Sequence, residues 1–187
     1  MTPTRVGPYI QTYSGIAFYP LDPRPEEIFI EDIAHSLSNV CRFTGHCKHF
    51  YSVAQHSDLV SRLCAPEDAL WGLLHDASEA YVADVARPLK HSHEWMPFRE
   101  VERRVMLAVA ERFGLPPREP DSVKRADSQA LGIEARSLMQ PLVGDGWKRF
   151  TDLADAGDYK GLYLTEGLGP MRAKAMFMQH YEELAGL

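Results

Sequence analysis

Three stretches of the chain carry side chains suited to holding a metal ion. They are His56 in "VAQHS", the adjacent pair His75-Asp76 in "LLHDASEAY", and Asp127 in "KRADSQAL". His56 falls in an apolar helical stripe with Val53, Leu59, Val60 and Leu63, and Asp127 in another with Val123, Ala126, Ala130 and Leu131. A carboxylate turned into a core is costly unless it is paired or bound to a cation. Two imidazoles and two carboxylates form a mixed nitrogen and oxygen set. Such a set suits one divalent transition metal, with Co, Mn, Zn, Fe and Ni all compatible. Glu79 follows His75 by one helical turn and shares its face. A carboxylate beside a metal, but not a ligand to it, is placed for proton transfer.

Taken singly, each of these residues has a plainer explanation. An inward histidine is usually hydrogen-bonded in a core, and an inward aspartate usually pairs with arginine. His75, Asp76 and Glu79 share a face with Gly72, opposite Leu70, Leu73, Leu74 and Ala77, which reads as the solvated side of an amphipathic helix. What favours the metal is the joint occurrence of His, His-Asp and Asp on helices that can converge.

Those helices are legible from caps and periodicity. "IQTYSGIAFY" has two β-prone halves around Ser14-Gly15 and predicts a small hairpin over about residues 9–20. A short helix is expected around "IEDIAHSLSNV", followed by a loop at "CRFTGHCKHF". Ser52 with Gln55 forms a capping box that starts the helix bearing His56. Ala65-Pro66 opens the next helix, which carries the His75-Asp76 stretch. "PFREVERRVMLAVAERFG" predicts a long amphipathic helix closed by Gly114. "PDSVKRADSQALGIEARSLM" predicts another capped by Asp121, and "GPMRAKAMFMQHYEELAG" a terminal one. Pro141 to Gly169 reads as irregular. The expectation is a single all-α domain over 1–187, with a helical core over about 31–185 and a small β-hairpin at the N-terminus.

Composition narrows the function classes. Of 187 residues, 45% are hydrophobic and 25% charged, as in a globular protein able to bury a core. The net charge of −6 argues against duplex nucleic acid or an anionic membrane as partner, while leaving room for a small anionic substrate in a local basic pocket. The first ten residues show no apolar run and no later stretch is of membrane length, so neither a signal peptide nor a membrane span is expected. Cys41, Cys47 and Cys64 form no CxxC pair, so a reducing, cytoplasmic setting is expected. Cys41, His46, Cys47 and His49 lie close in sequence but lack the paired spacing of zinc fingers, and ordinary packing thiols are expected.

At His56, His75-Asp76 and Asp127 the sequence resembles the HD-domain phosphohydrolases, whose metal signature runs His…His-Asp…Asp in this order. The likeness is closer to the YfbR-like 5′-deoxynucleotidases and the small phage dATP triphosphohydrolases. It is carried by the "HDASE" run, the aspartate and Pro-Leu-Lys that follow (Asp84 to Lys90), and "AD" at Ala126-Asp127. It covers roughly Arg42 to Leu138, and the C-terminal fifty residues weakly. The alarmone hydrolases carry Glu-Asp where this chain has Glu79-Ala80. The cyclic dinucleotide phosphodiesterases carry a Gly-Tyr-Pro motif that is absent.

The resemblance implies an all-α HD-domain bundle in the cytoplasm of a bacterium or a phage-infected host cell. His56, His75, Asp76 and Asp127 would hold the metal, and Glu79 would orient or deprotonate the attacking water. Arg42 would bind phosphate and Phe43 would pack on sugar or base, where YfbR-like enzymes carry tryptophan. Asp84 would lie near the sugar hydroxyl, and Lys90 would reach phosphate.

The implied activity is hydrolysis of a deoxynucleotide at the α-phosphorus, as a 5′-deoxynucleotidase or a dNTP triphosphohydrolase. Extra cations near the pocket would favour the triphosphate, with Lys48, His49, Lys124 and Arg125 as candidates. A non-catalytic metal- and nucleotide-binding regulatory module is the alternative, against which Glu79 argues. A homo-oligomer, dimer or larger ring, is expected from the apolar surface of Val105, Leu107 and Val109 and of Met171, Met176 and Met178.

Overall fold

The computed structural model describes residues 5–156, 164 and 167–187. Two strands, β1 (Ile10–Gln11) and β2 (Ala17–Phe18), pair antiparallel with Ile10 opposite Phe18. The turn between them is closed by the Gly15 N–H on the Thr12 carbonyl at 3.0 Å, with Gly15 at φ +87°. The helices are α1 (Ile30–Asn39), α2 (Val53–Leu63), α3 (Ala69–Leu74), α4 (Glu79–Val82), α5 (Arg87–Lys90), α6 (Met96–Arg112), α7 (Asp121–Leu138), α8 (Lys148–Asp155) and α9 (Pro170–Ala185). The expected all-α architecture with a small hairpin is the one observed.

Helix α2 is the centre of the bundle and packs against α1, α3, α7 and α9. The capping box starts it as expected: Ser52 Oγ accepts the Gln55 N–H at 3.3 Å, and Gln55 Oε1 accepts the Ser52 N–H at 3.2 Å. One face of α2 joins Ile33, Leu37, Leu73, Leu74, Val109 and Phe177 in the main core. Another meets Trp71, Val123, Ala126 and Ala130 in a second cluster shared with α7. Because α2 is enclosed, its polar residues are buried too, and each needs a partner. Close approach to α3 requires Gly72. A β-carbon there would stand 2.8 Å from Cys64 Sγ and 2.9 Å from Ser61 Cα.

Several expectations are corrected. The Pro66 start is a 3-10 turn (Pro66–Asp68), and the helix after it does not continue through the His75-Asp76 stretch. The His75 side chain takes the Gly72 carbonyl at 2.8 Å. The next turns then tighten to i−3 bonds, Ala77 to Leu74 and Glu79 to Asp76, each 2.9 Å. Asp121 is the first helical residue of α7 rather than its cap, which is Pro120; its carboxylate takes Lys124 at 3.0 Å. Residues 148–155 form α8, against the expected irregular stretch. Residues 157–163, 165 and 166 of that stretch lie outside the described residues.

Val105 and Val109 are fully buried in the core, so they offer no surface for association. Leu107 and Met171 are exposed. Cys41, Cys47 and Cys64 are free thiols, and burial pushes Cys47 and Cys64 up to about 11. Among the described residues, no helix is long and apolar enough to cross a membrane.

A buried ion-pair cluster ties α2 to the terminal helix. Asp58 accepts from His180 Nδ1 at 2.7 Å and from Arg62 at 2.9 and 3.0 Å. Burial acts to raise the Asp58 carboxyl, but the bonds from His180 and Arg62 outweigh it and hold it below the usual range. Asp58→Ala should destabilise the fold by about 2 kcal/mol near neutral pH. A depressed carboxylate contributes above its unfolded value, near 4, and stops contributing as pH falls through its folded value. Urea unfolding at pH 7 and pH 2 checks this. The gap between wild type and variant should close at the lower pH, and a gap unchanged with pH would refute the role.

Candidate metal centre

His56 is fully buried on α2, where its stripe placed it. Its Nδ1 donates to Glu134 Oε1 at 2.8 Å, on α7. Glu134 is itself fully buried and also accepts from Arg42 Nη2 at 3.0 Å. His75 donates its Nδ1 proton to the Gly72 carbonyl, which can only accept. Both rings therefore turn Nε2 the same way, and the two Nε2 atoms stand 3.2 Å apart. Asp76 Oδ2 lies 3.2 Å from His75 Nε2 and 3.6 Å from His56 Nε2. Asp127 Oδ1 lies 3.2 Å from His56 Nε2.

Facing imidazole nitrogens among carboxylate oxygens require positive charge between them. The surrounding charges act in that direction. Burial alone would lower His75, yet Asp76 overcomes it and holds the ring at about 9. Burial and the Arg42 charge act to lower His56, but Glu134 and Asp127 outweigh them and raise it. Burial works against the Asp127 and Asp76 carboxylates. The bond and charge of His56 still hold Asp127 at about 2, and His75, His56 and Arg42 hold Asp76 well below its ordinary value.

A divalent cation could take the place these protons occupy. Ligand atoms of His56, His75 and Asp76 all lie within 4.8 Å of one another, the only such metal-capable group among the described residues. Asp127 stands beside this trio. Val123, Ala126, Ala130 and Leu131 of its stripe are buried as expected, while the Asp127 side chain itself is 30% exposed and opens onto a cavity.

That cavity has a volume of about 1270 Å³. Arg42, Phe43, Asp84 and Lys90 all line it, as do His75, Asp76, Glu79 and Asp127. Backbone strain sits beside them. Among the described residues, the only positive φ values outside glycine are at Phe43 (54°), Thr44 (53°) and Ala83 (70°). Such conformations cost roughly 1–3 kcal/mol each and persist where the surroundings impose them. The first two form the turn that sends Arg42 to Glu134 and Phe43 to the cavity. The Arg42 N–H bonds the Tyr51 carbonyl at 2.8 Å, closing that loop onto the start of α2. Ala83 ends α4 and brings Asp84 into the cavity wall.

Glu79 is buried, and its Oε2 has no hydrogen-bond partner. Burial and the nearby Asp76 and Asp84 carboxylates push it well above its ordinary value. Lys90 Nζ lies 3.6 Å from Glu79 Oε1 and 2.5 Å from Glu102 Oε1, so it is engaged by two carboxylates.

The sequence did not single out Glu102, Trp147, Arg87, Arg99, Arg103 or Arg149, all of which line the cavity. The Trp147 ring centre stands 6.2 Å from that of Phe43 and places an indole beside the residue expected to pack on sugar or base. Lys48, His49, Lys124 and Arg125 do not line the cavity, whereas His46 and His91 do. Nothing in the sequence pairs these residues; their meeting depends on α5, α6 and α8 closing over one space.

No protein-family model matches the chain. It is 39% identical over 180 residues to the uncharacterized protein YfdR of Escherichia coli (strain K12), covering 96% of this chain and 97% of YfdR. It is also 39% identical over 133 residues to an uncharacterized protein of Rhodobacter capsulatus, covering 66% of this chain and 67% of that protein. At that identity across nearly the whole of both chains, the protein belongs to the YfdR family.

Proposed function

We propose that the chain is a metal-dependent phosphohydrolase of the HD-domain type, acting on a deoxynucleotide at its α-phosphorus. The observation that carries this reading is the pair of facing Nε2 atoms, each ring fixed through Nδ1, with Asp76 and Asp127 oxygens beside them. This donor set fits a divalent transition metal held by His56, His75, Asp76 and Asp127. Such an ion, when bound, withdraws charge from a phosphoryl oxygen and acidifies water.

The chain's own groups do the rest. Arg42 gives Nη2 to Glu134 and has no partner at its buried Nε, so the guanidinium at the cavity wall keeps donors for phosphoryl oxygens. Glu79 offers a carboxyl raised well above its ordinary value by burial and the neighbouring carboxylates, which suits it to carry a proton, and Lys90 pairs with it. Phe43 and Trp147 provide an aromatic wall for the sugar or base. Asp84 is positioned to accept from a sugar hydroxyl.

Protein purified without added metal should contain a transition metal by elemental analysis and release phosphate or tripolyphosphate from a deoxynucleotide panel. His56→Ala and Asp127→Ala should each lose metal and activity together. Full retention of both by these two variants would overturn the site.

Glu134→Gln tests the support behind His56. Loss of a carboxylate partner to a ligating histidine typically costs 10–100-fold in metal affinity. Metal titration with a competing chelator should show that drop. An unchanged affinity would reduce Glu134 to a packing role.

Glu79→Gln keeps size and an acceptor oxygen. It should leave fold and metal content intact while lowering turnover by about a hundredfold or more. Metal occupancy, nucleotide binding and hydrolysis measured on one sample decide the matter. Near-normal hydrolysis with full metal removes Glu79 from the mechanism.

A further inference from the structure

The cavity wall carries a second cationic group that the metal centre does not use. Arg87, at the start of α5, has its guanidinium carbon 5.2 Å from the centre of the Phe150 ring. Arg149, on α8, has its own 4.3 Å from the same centre. The Phe150 ring is buried and holds both guanidinium groups at one place by cation–π contact. Among the described residues, neither arginine has a carboxylate within salt-bridge distance. This sets them apart from Arg42, Lys90 and Arg103, which pair with Glu134, Glu102 and Glu100.

More positive charge converges here. Arg99 donates to the Lys90 carbonyl at 2.5 Å and to the Ser92 carbonyl at 2.9 Å, which pins the loop after α5. His91 in that loop is held below its ordinary value, by desolvation first and then by the charges of Arg87, Lys90, Arg99 and Arg149. Arg87, Arg99 and Arg149 have no carboxylate within salt-bridge distance among the described residues, and three such charges on one cavity wall suit an anion.

Lys90 gives the spatial link to the metal centre. Its carbonyl belongs to the loop pinned by Arg99, while its Nζ reaches Glu79. Arg87, Arg99 and Arg149 line the same cavity as Asp76, Glu79 and Asp127. A nucleotide with its α-phosphoryl group at the metal centre can turn its further phosphoryl groups towards that wall. A long polyanion is disfavoured by the net charge of −6.

We propose that Arg87 and Arg149, seated on Phe150 and backed by Arg99, form a second phosphate subsite that binds the β- and γ-phosphoryl groups of a nucleoside polyphosphate. This assignment rests on the phosphohydrolase reading for its choice of ligand, and it names the polyphosphate as the favoured substrate class.

The test uses the full-length chain and the variants Arg87→Gln, Arg149→Gln and the double variant. Both side chains are exposed, and circular-dichroism melting should confirm an unchanged fold. Calorimetric titration with inorganic tripolyphosphate should show saturable, salt-sensitive binding to the wild type. The double variant should bind at least about tenfold more weakly, the scale expected for losing charge-assisted contacts. Absent binding to the wild type, or equal binding by the double variant, overturns the subsite.

The second arm measures kcat/KM for a deoxynucleoside triphosphate and the matching monophosphate. The triphosphate-to-monophosphate ratio should fall at least about tenfold in the double variant. An unchanged ratio overturns the assignment to the substrate's own tail and leaves free condensed phosphate as what binds there. If the metal-loaded wild type hydrolyses no nucleotide, the phosphohydrolase reading fails, while the calorimetry still decides whether the anion subsite exists.

Discussion

One carboxylate with no access to water sets the arrangement of the centre. Glu134 is fully buried on α7, and a buried ionised carboxylate survives only with its lone pairs engaged. One oxygen fixes His56 and the other fixes Arg42. Burial acts to raise Glu134, yet the charges of His56 and Arg42 hold it low and ionised. Through that one group, α7 dictates how the imidazole of α2 is turned and where the 41–52 loop can lie. Gly72 serves the same end from the other side, since its missing side chain allows α3 to bring His75 up to His56.

The bundle is arranged to enclose a polar seam instead of avoiding one. Helix α2 carries Gln55, His56, Ser57, Asp58 and Ser61 into the interior, and most of them meet a designated partner. Gln55 serves the cap, Ser61 donates to the Ala69 carbonyl at 2.7 Å, and Asp58 binds His180. Together with His56 to Glu134, these bonds orient α2 against α3, α7 and α9. Apolar contacts alone would leave its rotation less defined, because they are not directional.

How much of this was legible depended on whether the information was local. The capping box, the glycine ends of α6 and α9, the hairpin and the inward place of His56 follow from residues within a turn or two of one another. The break after Leu74 was not legible, because it turns on a side chain taking a main-chain carbonyl that the helix would otherwise use. Helix α8 has few apolar residues in "KRFTDLAD" and is held by α7, where a β-carbon on Gly132 would meet the Phe150 carbonyl at 2.1 Å. Asp127 was placed in the right stripe, but that this one member opens onto a cavity is settled by what lies opposite it. The convergence of Arg87, Arg99 and Arg149 and the meeting of Phe43 with Trp147 are tertiary facts with no periodic signal.

The left-handed backbone at Phe43, Thr44 and Ala83 has a consequence for how this protein can change over time. Strain of this kind is a standing loss of stability, and it lies where the backbone turns beside Arg42 and Asp84. Glycine at any of the three positions would relieve it, and so each is a site where a more robust fold is one substitution away. The same substitution would widen the set of conformations open to the loop that it releases. A more robust fold and a fixed direction for Arg42 and Asp84 therefore pull in opposite directions at these three residues.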